Sequence, residues 1–99
     1  MPGFIQIIEF TTSRFDEVSA AVDAYLEESK GTRKGVRGSQ TKDRDKENTY
    51  VEVVEFPSYE AAMENSNSPE TTAFAEKMQS LCDGPPIFRN LDVIRTDEM

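Results

Sequence analysis

Two segments of this chain, FIQIIEF at 4–10 and YVEVVEF at 50–56, are apolar on both faces of an extended strand, because side chains alternate faces with a period of two. One set holds Ile5, Ile7, Val51 and Val53, with Glu9 and Glu55 at the ends. The other holds Phe4, Gln6, Ile8, Phe10, Tyr50, Glu52, Val54 and Phe56. Such strands belong at the centre of a sheet, and a chain of 99 residues has material for one core. Helices then cover one face. The other keeps a patch of roughly 20 by 20 Å, judged from strand spacing and rise, which is about as much as a monomer tolerates in water.

The elements between these strands follow from helical spacing and local punctuation. Thr11, Thr12 and Ser13 offer capping hydroxyls, Asp16 and Glu17 suit a helix start, and Phe15, Val18, Val22, Tyr25, Leu26 and Ser29 recur at helical spacing. They predict a helix over 14–29, with Gly31 as a C-cap candidate. A polar strand over 36–41 suits a sheet edge, and KDRDKEN at 42–48 reads as the tip of a hairpin leading into the strand at 50–56. Pro57 ends that strand, Ser58 caps a short helix through Tyr59, Ala62 and Met63, and Asn65-Ser66-Asn67 breaks it. Ser68-Pro69-Glu70 is the clearest helix start: a capping hydroxyl, Pro at the first helical position and an acid in the first turn. Phe74, Met78 and Leu81 mark its buried face, Gly84-Pro85-Pro86 stops it, and a last strand runs over 87–95 before a charged tail.

The order β-α-β-β-α-α-β is the ferredoxin-like split βαβ pattern of the α+β class. It predicts a single domain over 1–99 with a four-stranded antiparallel sheet, both long apolar strands central and every helix on one face. The uncovered face then calls for a second protein surface. The aliphatic set, with carboxylates only at its ends, is expected to meet the helices, and the mixed set to be bare. That places Phe4 and Phe10 in a dimer interface, with Gln6, Glu52, Arg37 and Arg89 as its buried polar network, since a carboxylate taken from water needs a partner. The competing reading of Glu52 is a general base with a raised pKa in a pocket.

The chain has no histidine and a single cysteine, Cys82. The common zinc sites, Ser-His-Asp and Cys-His catalysis and most imidazole acid/base work are thereby closed off, so no metal and no cofactor is expected. Gly3, Gly31, Gly35, Gly38 and Gly84 make no phosphate-binding loop. Asp43, Asp45 and Glu47 alternate with Lys42, Arg44 and Lys46, which reads as a solvated tip rather than a cation site. Cys82, beside Leu81, reads as a small buried thiol. A net charge of -8 makes nucleic acid and anionic membranes poor partners. The N-terminus, Met1-Pro2-Gly3-Phe4-Ile5-Gln6, carries neither a signal peptide nor a membrane span, so a cytoplasmic location is expected. What remains for chemistry is Tyr, Asn, Arg and carboxylate, with Asn65, Tyr50 and Tyr25 as catalytic candidates; Asn65 has a competing role as a helix-breaking cap.

The segment VEVVEFPSYEAAMENSNSPETTAFAEKM at 51–78 resembles the dimeric α+β-barrel proteins related to antibiotic-biosynthesis monooxygenases (ABM-like proteins). Glu55, Ala61 and Ser68-Pro69 fall where that pattern has a strand-end acid, a helix alanine and a second-helix cap, and the strand order extends the resemblance over essentially the whole chain. The resemblance implies a homodimer with facing sheets and a ligand cleft between helices and sheet. Asn65 stands where the family often has a His or Trp, and the chain contains neither. The haem degraders of the superfamily use an Asn, Trp and His set; Ile8 and Ala75 lie near two of those positions, so that route is not expected here. Two functions follow: a homodimer binding a small apolar or aromatic molecule, or, alternatively, a cofactor-independent monooxygenase of phenolic, quinol or polyketide-like substrates. A third reading gives the bare sheet to a different protein.

Overall fold

The computed structural model describes residues 3–99; Met1 and Pro2, where the N-terminal reading begins, lie outside the described residues. The order is β1 (Phe4–Thr11), α1 (Phe15–Glu28), β2 (Arg37–Lys42), β3 (Thr49–Phe56), α2 (Tyr59–Ser66), α3 (Pro69–Leu81) and β4 (Ile87–Asp92). The sheet has four strands in the order β2-β3-β1-β4, every neighbouring pair antiparallel. The two doubly apolar strands are central, as their patterning requires. No helix among the described residues is long and apolar enough to cross a membrane.

Local chemistry explains the boundaries. Ser58 Oγ accepts from Ala61 N–H at 3.1 Å and Ser68 Oγ from Thr71 N–H at 3.2 Å, so both short helices start on a serine cap. Gly31 takes a positive φ of 85° after α1, a conformation that a Cβ disfavours. The α1 start differs from expectation: its N-cap residue, Arg14, makes no side-chain cap. Thr12 serves instead as a junction, accepting from Arg14 N–H at 3.0 Å and donating to the Leu81 carbonyl at 2.7 Å. The helix breaker is also later than expected, because α2 runs through Asn65 and ends at Ser66. β4 stops at Asp92 rather than Arg95.

The register corrects the expected assignment of faces. Directly opposed residues share a face, and β1 pairs with β3 as Phe4↔Phe56, Gln6↔Val54, Ile8↔Glu52 and Phe10↔Tyr50. Phe4 and Phe56 pack with Ala62 of α2, while Phe10 packs with Val18 of α1 and Leu81 of α3. The mixed set therefore meets the helices and the aliphatic set is bare. Phe4 and Phe10, expected at an interface, are 2% and 4% exposed in the core. The physical reason is volume: aromatic rings at the two ends of the mixed set span the gap between sheet and helices, which Ile and Val leave unfilled.

Truncating Phe10 to Ala should cost about 3–5 kcal/mol in urea denaturation. A loss below about 1 kcal/mol would be incompatible with Phe10 packed between α1 and α3.

Candidate functional site

On the helix-facing side of the sheet, the two aromatic ends are buried and the middle is not. Phe4, Phe56 and Phe10 are buried, whereas Gln6, Ile8, Glu52 and Val54 between them are half-buried. The helices thus cover the two ends of this face more fully than its centre. Glu52 lies in that centre, opposite Ile8 on β1 and Gln40 on β2. Burial pushes its carboxyl above the usual range, and a hydrogen bond with the Gln40 side chain partly opposes the shift. Beside it, Gly38 offers no side chain; a Cβ there would come within 3.6 Å of Glu52 Oε1. Because β2 is exposed along its length, the carboxylate is reached from that edge. Gln6 completes the polar strip, donating from Nε2 to Asn90 Oδ1 at 3.2 Å.

Two of the three catalytic candidates, Asn65 and Tyr25, meet, and Tyr50 does not join them. Asn65 Nδ2 donates to the Tyr25 hydroxyl at 3.3 Å, and that hydroxyl lies 3.1 Å from Thr71 Oγ1. Asn65 Oδ1 accepts from Lys34 N–H at 2.9 Å. Asn65 thereby ties the loop before β2 to α1 and α3, and its amide is occupied at both ends. Tyr50 is elsewhere, its ring stacked on Phe15 at 4.3 Å and on Phe10 at 5.7 Å. Along β3 it is about 20 Å from the Phe56 end, where α2 packs, at about 3.4 Å per residue.

The four residues expected to share one polar network lie on two faces. Gln6 and Glu52 point toward the helices; Arg37 and Arg89 lie on the bare face, paired in register with Glu55 and Ile7. Arg37 Nε is 3.6 Å from Glu55 Oε2, and no ion pair forms on Arg89 among the described residues. Around them the bare face presents Ile5, Ile7, Val51, Val53, Ile87 and Leu91, the last two 54% and 41% exposed. Among the described residues one groove of about 460 Å³ lies between α1 and α3, and another of about 490 Å³ lies where the C-terminal tail borders the bare face. Burial also pushes the Cys82 thiol up, with Asp83 adding to the shift and Arg14 opposing it, which disfavours the thiolate. No group of three His, Cys, Asp or Glu among the described residues could hold a metal ion.

No protein-family model matches the sequence, and no curated protein does. The solved structures do match. SnoaB, a cofactor-independent oxygenase from Streptomyces nogalater, superposes in an Asn-to-Ala variant with a TM-score of 0.81 at 16% identity, over 97% of both chains. A conserved protein from Methanosarcina mazei gives 0.81 at 7% identity over 93% of both chains. A candidate antibiotic biosynthesis monooxygenase from Caulobacter crescentus gives 0.78 at 15% identity, over 95% of this chain and 92% of the other. This chain has the ABM-like fold. The ABM-like fold places a helix-facing sheet surface under α1–α3, and in this chain that surface carries Glu52 and Gln6. The alternation of β1 and β3 was enough to bring those two residues onto one face; Gly38, Gln40 and Asn90 went unnoticed because cross-strand register decides them.

Glu52 also makes stability depend on pH. With its folded pKa raised above the unfolded value, folding favours the protonated form, so this contribution is present at low pH and lost as pH rises through the folded pKa. Glu52→Gln should therefore raise the Tm at neutral pH, and the gain should close below about pH 4.5, where the carboxyl is neutral in both states. A gain that persists unchanged under acid would assign it to packing instead.

Proposed function

We propose that this protein is a homodimeric, cofactor-independent oxygenase of phenolic or quinol substrates, with Glu52 as the proton acceptor. The observation that carries this reading is the half-buried Glu52 carboxylate, its pKa raised by desolvation, opposite Ile8 on the helix-facing side of the sheet and beside the exposed strand β2. A carboxylate made more basic by burial is better matched to a phenolic proton. Removing that proton gives an electron-rich phenolate, which can reduce dioxygen directly. A C–O bond forms at a ring carbon ortho or para to the phenolate oxygen that bears hydrogen, giving a hydroperoxide; the O–O bond then breaks, the C–H proton of that carbon leaves with the departing oxygen as water, and a quinone remains. The phenol loses two hydrogens and gains one oxygen, the second oxygen atom leaves as water, and Glu52 returns its proton. No redox group is needed, because the substrate supplies the electrons. Fold likeness to SnoaB supports the same reaction class by analogy.

Homodimerisation rests on the bare sheet. A continuous face of Ile5, Ile7, Val51, Val53, Ile87 and Leu91 is costly to leave in water, and a second copy of the same face is self-complementary in shape and polarity. The rim carries both signs, Arg89 and Arg37 against Glu9 and Glu55, so a two-fold axis can bring opposite charges together.

Binding of an apolar or aromatic molecule without turnover is the second reading. It is favoured by the internal use of Asn65 and Tyr25, which leaves the helix-facing side of the sheet with few polar groups for substrate.

Oxygen-electrode assays with anthrones, naphthols and hydroquinones should show uptake, and Glu52→Gln should lower kcat by about 10²–10⁴-fold. Saturable binding with no uptake across that panel would replace the first reading with the second. In sedimentation, the parent should run as a dimer and Ile7→Lys, which buries an unpaired charge in the interface, as a folded monomer. A dimer unaffected by Ile7→Lys would move the interface off the bare face.

A further inference from the structure

The groove between α1 and α3 is lined by residues of these two helices alone, and by none from Glu52's surroundings or the bare face. Its walls are alanines, Ala20 and Ala24 from α1 and Ala73 from α3, and its floor is the Tyr25–Phe74 ring pair, 4.8 Å between centroids. Small side chains keep it open at about 460 Å³, and it follows α1 from Glu17 to Glu28, roughly 16 Å at 1.5 Å per residue. That is three helical turns, enough for apolar anchors spaced i, i+4 and i+7 on a docked helix.

Charge selects the occupant. α1 carries Asp16, Glu17, Asp23, Glu27 and Glu28 and no basic residue at all. Glu17 and Glu28 stand at the groove, with Lys77 as its one basic lining residue. The acids at the end of α1 run against local preference, since the helix dipole favours cations in the last turn and none is present there. Local rules are broken in this way where a surface serves something other than stability. A second copy of the chain does not suit the groove, because two α1 faces would oppose acid to acid on molecules that each carry a net charge of -8.

We propose that the α1–α3 groove docks a basic amphipathic helix of another protein, with small apolar anchors over Tyr25 and Phe74 and Lys or Arg flanks against Glu17 and Glu28. The full-length chain is to be titrated, by NMR and calorimetry, with a synthetic three-turn helical peptide bearing Leu anchors and Lys flanks. A second peptide has every Lys changed to Glu. Binding of the Lys peptide with shifts centred on Ala24, Tyr25 and Phe74, weakening as salt rises, is the expected result. The Glu17→Lys/Glu28→Lys pair, shown to be folded by circular dichroism, should bind it at least tenfold more weakly. Glu47→Lys/Glu60→Lys, the same change of net charge outside the groove, should bind it as the parent does. The proposal is overturned if the Glu peptide binds equally well, if both variant pairs lose affinity alike, if the shifts fall on the bare sheet face, or if the groove variants alter sedimentation of the free protein.

Discussion

The register between β1 and β3 governs the rest of the molecule. Setting Phe4 opposite Phe56 and Phe10 opposite Tyr50 puts large rings at both ends of one sheet face and leaves Gln6 and Glu52 between them. A slip of one residue would reverse every side chain and send the rings to the bare face. The helices dock where the rings are: α2 through Ala62 at one end, α1 and α3 through Val18 and Leu81 at the other. The thinner cover over the sheet centre follows from the positions of four aromatic residues.

The same arrangement accounts for the electrostatics. Glu52 sits between two apolar clusters, too enclosed to be fully hydrated, and forms no ion pair among the described residues. Its one favourable contact is a neutral amide from Gln40. A group held this way costs stability and gains basicity, the exchange that acid/base sites make. Asn65 is the opposite case: its amide is satisfied on both sides and holds a loop to two helices.

Much of this is legible in the sequence, and the reasons are local. Ser68-Pro69-Glu70 specifies a helix start within three residues, and the Ser68 cap is present. The central position of β1 and β3 follows from their double apolarity, and the edge position of β2 from its polarity. The faces were not readable in this way, because hydrophobicity scores Ile5 and Phe4 alike, while the space between a helix and a sheet distinguishes them by size. The surroundings of Glu52 depend on pairing between strands: Gly38 and Gln40 are unremarkable in a polar strand until β3 is laid beside them. Asn65, expected to break its helix, lies inside the last turn of α2, and its partners Lys34 and Tyr25 come from loop and helix residues far away in the chain.

The Gln6–Asn90 hydrogen bond joins residues 84 positions apart, and the ladder that contains it, β1 with β4, closes nearly the whole chain into a loop. Closure of that length is entropically slow, whereas the β2–β3 hairpin needs only a short turn. β4 is therefore the last strand available to a chain emerging from the ribosome. Until it docks, the most apolar strand of the molecule has an open hydrogen-bonding edge, and the interval before that docking is when this protein is most exposed to aggregation.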